Sequence, residues 1–128
     1  MSVAGRARRR RHAALVLTLL PFLLQGRIGL VVFLNGAAQH VSEEWRLPGH
    51  KYVKAWDVAC NVALCAFVNW HTAWQPQTAV LSALAFCAWQ ANNAVCAGES
   101  MELHACGVQA SLLVCLSRFL ATGAGRRP

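Results

Sequence analysis

AALVLTLLPFLLQGRIGLVVFLNGAAQH, residues 13–40, is the stretch on which the fold turns. An α-helix crosses the ~30 Å hydrocarbon core of a bilayer with about 20 residues, and this run is longer than that. It carries Arg27 as its one arginine, and Pro21 and Gln25-Gly26 interrupt its helical pattern. Proline removes a backbone donor and glycine loosens the chain, so a bend is predicted near Pro21–Gly26. The segment is expected to continue beyond the bend as the first membrane crossing, through about His40. Five arginines, Arg6 and Arg8 to Arg11, precede it within a basic tail at 1–12, and no acid appears before Glu43. A basic start before an apolar run also suits a signal peptide or a mitochondrial import segment. No small-x-small site surrounds Gln25, so the segment is expected to be retained.

Three further apolar stretches follow, at about 55–74, 78–97 and 103–122. The whole chain of 128 residues is 56% hydrophobic and 13% charged, against about 25% charged in a soluble domain. That composition excludes disorder, and the length excludes a large multidomain enzyme. The turn at Trp74-Gln75-Pro76-Gln77 and the turn at Gly98-Glu99-Ser100-Met101-Glu102 are too short to join anything but adjacent antiparallel helices. Gly98 suits a helix C-cap and Ser100 an N-cap. The longer connection, 41–54, mixes Glu43, Glu44, Arg46, Lys51 and Lys54 with Trp45 and Tyr52, as interfacial segments do. One all-α membrane domain spanning 1–128 is therefore expected: a four-helix bundle with antiparallel up-down topology and both termini on one side.

Charge gives that bundle an orientation. Twelve Lys+Arg, ten of them Arg, oppose five acids for a net charge of +7. Four crossings would gather the Arg6–Arg11 cluster with Arg126 and Arg127 on one face and set the 41–54 and 98–102 connections on the other. The positive-inside rule then puts the termini in the cytoplasm, or in the matrix of a mitochondrion. The acid-free arginine start favours the mitochondrial inner membrane, with a bacterial plasma membrane or an endomembrane as alternatives. No aromatic residue interleaves the basic tail, so nucleic acid is not an expected partner.

The polar residues inside the apolar runs are the candidates for chemistry. Arg27 and Asp57 are ionisable, and Asn61, Asn69, Gln90, Asn92, Asn93 and Gln109 are amides. Such groups face a bundle interior or an interface. They would either line a cavity that takes a quinone or a lipid, or act as hydrogen-bonding glue between helices, and glue is the favoured reading. Small residues four apart (Ala59/Ala63, Ala79/Ala83, Gly107/Ser111) suit close helix packing. Trp70 and Trp74, with Trp45 and Trp56, suit aromatic belts. Among six cysteines there is no C-x-x-C pair, so no metal site is expected. Cys96 and Cys106 flank the 98–102 turn and would form the one disulfide of an oxidising compartment. His71 and His104 fall at opposite ends of their helices, so no haem is expected. No nucleophile–base pair, phosphate loop or carboxylate pair marks an enzyme.

The run from Arg27 through Gly36 to His40 resembles the first-helix signature of DoxX-like membrane proteins: an arginine, an apolar run with small residues and Phe33, a glycine, then a basic residue. The run from Ala55 through Asp57 to Leu64 is similar to that family's second helix, and Leu120–Arg126 to its glycine-rich end. His40 stands where lysine is commoner, Asp57 where glutamate is, and Cys60-Asn61 where glycines are usual. The resemblance covers about a third of the chain. It implies a four-helix membrane bundle, sometimes a subunit associated with quinol oxidation and, in larger relatives, a cargo receptor. Under it Arg27 and Asp57, with Asn61 beside them, are the ligand-site candidates, and the departure at Cys60-Asn61 bears on any inherited pocket.

The function expected from these features is structural. The chain would be a non-catalytic, multi-pass subunit of a larger membrane assembly, such as an organellar respiratory or energy-transducing complex, with lipids and other integral subunits as partners. A DoxX-type quinone-linked redox subunit and a small-molecule transporter or cargo-binding membrane protein are the alternatives.

Overall fold

The computed structural model describes residues 3–123, and among them every regular element is helical. Helix α1 runs Val3–Thr18, a 3-10 segment covers Leu20–Gln25, and α2 runs Gly26–Glu44. Helix α3 is His50–His71 and α4 is Pro76–Cys96. A π-helical segment, Leu103–Gln109, leads directly into α5, Ala110–Ala121. Arg126 and Arg127 lie outside the described residues. Two compact units, Met1–Asn61 and Val62–Pro128, meet within α3.

The first unit is organised around a bend in the first apolar run. The bend falls where Pro21 and Gly26 predict it, but the chain reverses there and α1 folds back along α2. Leu19 contacts the position of Gly36, and Phe22 that of Gly29. The ring centroids of His12 and His40 lie 5.8 Å apart. Buried His12, Leu15 and Leu19 recur at helical spacing on α1, facing buried Gly29, Val32, Gly36, Gln39 and His40 on α2. Gly26 makes the reversal: its φ of 68° with ψ of −150° is a conformation open in practice to glycine alone. Gly29 is needed for a different reason, since a β-carbon there would run into the backbone carbonyl of Phe22.

Two boundaries also differ from expectation. Residues of the basic tail at 1–12 are helical from Val3, and the 41–54 connection shrinks to Trp45–Gly49 because α2 and α3 extend into it. Among the described residues, three segments are long and apolar enough to cross a membrane: Arg11–Glu44, Pro76–Cys96 and Leu103–Ala121. Helix α3 has the length, at 22 residues, but Lys51, Lys54 and Asp57 occupy its first turns.

In the second unit the expected turns recur close to their predicted places. Pro76 opens α4 at its first turn, where its missing N–H costs nothing. Buried Thr78, Ala85 and Asn92 on α4 are seven residues apart, so they share one side of the helix. Val108, Leu112, Cys115, Leu116 and Phe119 form the apolar stripe of the last helix. Gly107 lies so close to α4 that a β-carbon on it would approach the Ala88 β-carbon to 2.5 Å. Of the expected small-residue pairs, this is the one used for close approach, with Ser111 half-buried beside it; Ala59, Ala63 and Ala83 are exposed.

Gly26→Ala and Gly29→Ala should each destabilise the first unit by about 1–3 kcal/mol, one through strain and one through overpacking. Thermal unfolding of the detergent-solubilised chain would measure this. Gly36→Ala should cost less, because the mobile end of Leu19 rather than backbone meets the new methyl.

Candidate functional site

Among the described residues, buried polar side chains gather in two places, one in each unit. In the first unit they lie at the open end of the α1–α2 hairpin. His40 and Glu43, one turn apart on α2, share a face, and the hairpin brings His12 of α1 to them. One ligand atom from each of the three residues lies within 4.8 Å of the others. His12 is 4% exposed and His40 3%. Glu43 is held at both oxygens: Gln39 Nε2 donates to Oε2 at 2.8 Å, and Lys54 Nζ lies 3.3 Å from Oε1. Gln39 is itself fixed, since Ser42 Oγ donates to its carbonyl at 2.8 Å.

In the second unit the polar groups form a chain of contacts through three helices. Asn69 Nδ2 on α3 donates to the Cys65 carbonyl and to Ser82 Oγ on α4, each at 2.8 Å. Ser82 Oγ lies 3.6 Å from Cys115 Sγ on α5, and that thiol reaches the Thr78 carbonyl at 3.7 Å. Thr72 and Thr78 hydroxyls meet at 3.0 Å across the α3–α4 turn. Further along α4, Asn92 holds the next turn: its Oδ1 accepts from the Ser100 N–H at 2.9 Å and its carbonyl from Gly98 N–H at 2.9 Å. Ser100 caps the following helix as its sequence position suggests, its Oγ accepting from the Leu103 N–H at 3.2 Å. The C-cap is Ala97, in the left-handed region at φ 51°, with Gly98 following it.

The predicted candidates are distributed differently. Arg27 is exposed at the first turn of α2, at the closed end of the hairpin. Asp57 is half-buried on α3 and accepts from Asn61 Nδ2 at 3.3 Å, one turn away on the same helix. Sixteen residues separate Arg27 from Glu43, about 24 Å of helix, while Asp57 lies one turn past Lys54, the partner of Glu43. The fold therefore brings Asp57 and Asn61 together but not Arg27. Asn69, Asn92 and Gln109 are buried, Asn93 is half-buried and Gln90 is exposed. All six cysteines are free thiols, Cys96 half-buried and Cys106 exposed. His71 packs near Phe119, ring centroids 6.4 Å apart, fifteen residues beyond His104 in the chain. Those two histidines stand apart as their spacing predicts.

The His12–His40–Glu43 group is what sequence reasoning missed. Its signal is symmetry about the bend: a hairpin closing at Gly26 pairs residues whose numbers sum to about 52, as 12 and 40 do. No protein-family model, no curated protein and no solved structure matches the chain.

Asn92→Ala should destabilise the second unit by about 1–3 kcal/mol, because it strands the Ser100 N–H in a half-buried turn. Ser82→Ala, which removes one partner of Asn69, should cost about 0.5–1.5 kcal/mol. Chemical denaturation of each variant in one detergent would rank them.

Proposed function

We propose that the chain is a non-catalytic, multi-pass membrane subunit that supports a larger membrane assembly through its apolar outer faces. The observation that carries this is the inverted distribution of polarity. His12, Gln39, His40, Ser42, Asn69, Thr72, Thr78, Asn92 and Gln109 are buried, while Leu24 is 86% exposed, Val95 82% and Trp70 76%. Water would reverse that arrangement; lipid and neighbouring apolar helices stabilise it. The exposed Trp45, Trp56, Trp70 and Trp74 fit headgroup-level contacts. The polar contacts of α3, α4 and α5 fit hydrogen-bonding glue, each about 1 kcal/mol. A mitochondrial inner membrane suits the arginine-rich start, and a bacterial plasma membrane or an endomembrane is the alternative.

The hairpin also bears on orientation. A four-crossing bundle sets the arginine cluster and the 41–54 segment on opposite faces, yet His12 and His40 are neighbours. We therefore assign both to one face. That face collects Arg6, Arg11, Arg46, Lys51 and Lys54 and is the cytoplasmic or matrix side under the positive-inside rule. A quinone-linked role of DoxX type would draw on Arg27 and Asp57 together, and their separation weighs against it.

Carbonate extraction at high pH should leave the chain in the membrane pellet, and a mild-detergent native gel should carry it well above the position of the lone 13.9 kDa chain in its detergent micelle, with integral partners identified by mass spectrometry. Release into the supernatant overturns the membrane reading; migration as a lone chain overturns the assembly. In sealed vesicles, a protease site inserted after Pro48 and an N-terminal tag should be cut from the same face.

A further inference from the structure

We infer that His12, His40 and Glu43 form a zinc site that closes the open end of the α1–α2 hairpin. The three side chains offer two imidazoles and one carboxylate, and their ligand atoms already lie within 4.8 Å of one another. A tetrahedral zinc ion with bonds of about 2.0–2.1 Å sets its ligand atoms roughly 3.3 Å apart. The contraction needed is of the order that side-chain rotation of the two rings and Glu43 can contribute. The spacing is also suitable: His40-Val-Ser-Glu43 puts two ligands one turn apart on one helix, as helical-bundle metal sites do. His12 arrives from the other arm, so the ion ties together segments 28 residues apart.

The donor set narrows the choice of metal to the first-row transition ions. Calcium and magnesium want oxygen ligands, and cuprous copper wants sulfur. Two imidazoles with a carboxylate are a set that zinc shares with ferrous iron; four-coordinate zinc completes it with one further ligand such as water. The surroundings of Glu43 support the assignment. Gln39 Nε2 donates to Oε2 at 2.8 Å and orients the carboxylate as an outer-shell partner does. Lys54, 3.3 Å from Oε1, has a side chain 43% exposed, so it can withdraw into solvent when the cation takes its place. Both imidazoles are more than nine-tenths buried, which limits competition from water. The ion would pin the arginine-rich arm against α2.

The test uses the full chain in mild detergent, stripped with a chelator and titrated with Zn2+ by calorimetry. One equivalent should bind and raise the thermal midpoint. His12→Ala and His40→Ala should abolish stoichiometric binding, Gln39→Ala should weaken it roughly 10–100-fold, and His71→Ala should leave it unchanged. Retention of full affinity in His12→Ala or His40→Ala overturns the site. A second measurement needs no variant: pulsed EPR of the Cu2+-loaded native chain should show two imidazole nitrogens. One or none, or a thiolate signature from the six cysteines, also overturns it.

Discussion

In surroundings without water, an unpaired polar group is costly, and most of the polar contacts in both units answer that demand from inside the protein. Helices meet it for the backbone, which is why no irregular stretch interrupts the apolar runs beyond the Leu20–Gln25 3-10 segment and the Leu103–Gln109 π segment. Hydroxyls meet it by bonding back one turn: Thr18 to the Leu15 carbonyl, Thr72 to Val68 and Ser117 to Leu113, each at 2.8 Å. Amides have too many donors and acceptors for that. Asn69 therefore reaches across to Ser82, and Asn92 reaches forward to the Ser100 N–H. The amides fix which faces meet, while the small Gly107 lets them meet closely.

The same demand explains why the reversal at Gly26 matters beyond local geometry. A span from Arg11 to Glu44 contains 34 residues, about 51 Å as one straight helix, far more than a bilayer needs. Folded in two, its arms are each shorter and their polar residues stack at one end. The α1 arm from Ala13 to Leu24 offers only about 18–22 Å of apolar chain. That is shorter than ~30 Å of hydrocarbon. Arg27 then occupies the tip instead of the arginine-rich end. Its long side chain is exposed there, free to follow whatever polar surface the tip meets.

Much of the architecture was legible in the sequence because it rests on local signals. Long apolar runs, Pro76, Ser100 and the 98–102 turn mark three of the helices to within a few residues, and Pro21–Gly26 marks the bend. What the sequence did not convey was the angle of that bend. Proline and glycine identify a break, but a kinked crossing and a full reversal use the same residues. The difference lies in the contacts of Leu19 with the Gly36 position and of Phe22 with Gly29, which are long-range. Because the angle was missed, so was the polar cluster: His12 and His40 are unremarkable singly and become a pair only once the chain has turned back. Asp57–Asn61 needed only helical periodicity, whereas pairing either with Arg27 required tertiary information.

The two units thus use polar residues for different ends, and the difference is chemical. Around Asn69, Ser82, Thr72, Thr78 and Cys115 the groups are neutral, and each contact is replaceable at modest cost. Around Glu43 a carboxylate is held by a lysine and an amide beside two buried imidazoles. Packing alone does not call for such a set, since apolar side chains of the same size would close the hairpin without the desolvation penalty of a charge. A polar network that only joins helices can be assembled from hydroxyls and amides, as the second unit is. The concentration of ionisable groups at one end of the first unit therefore points to work that depends on charge, and the tie between two distant stretches of chain is the simplest such work the geometry offers.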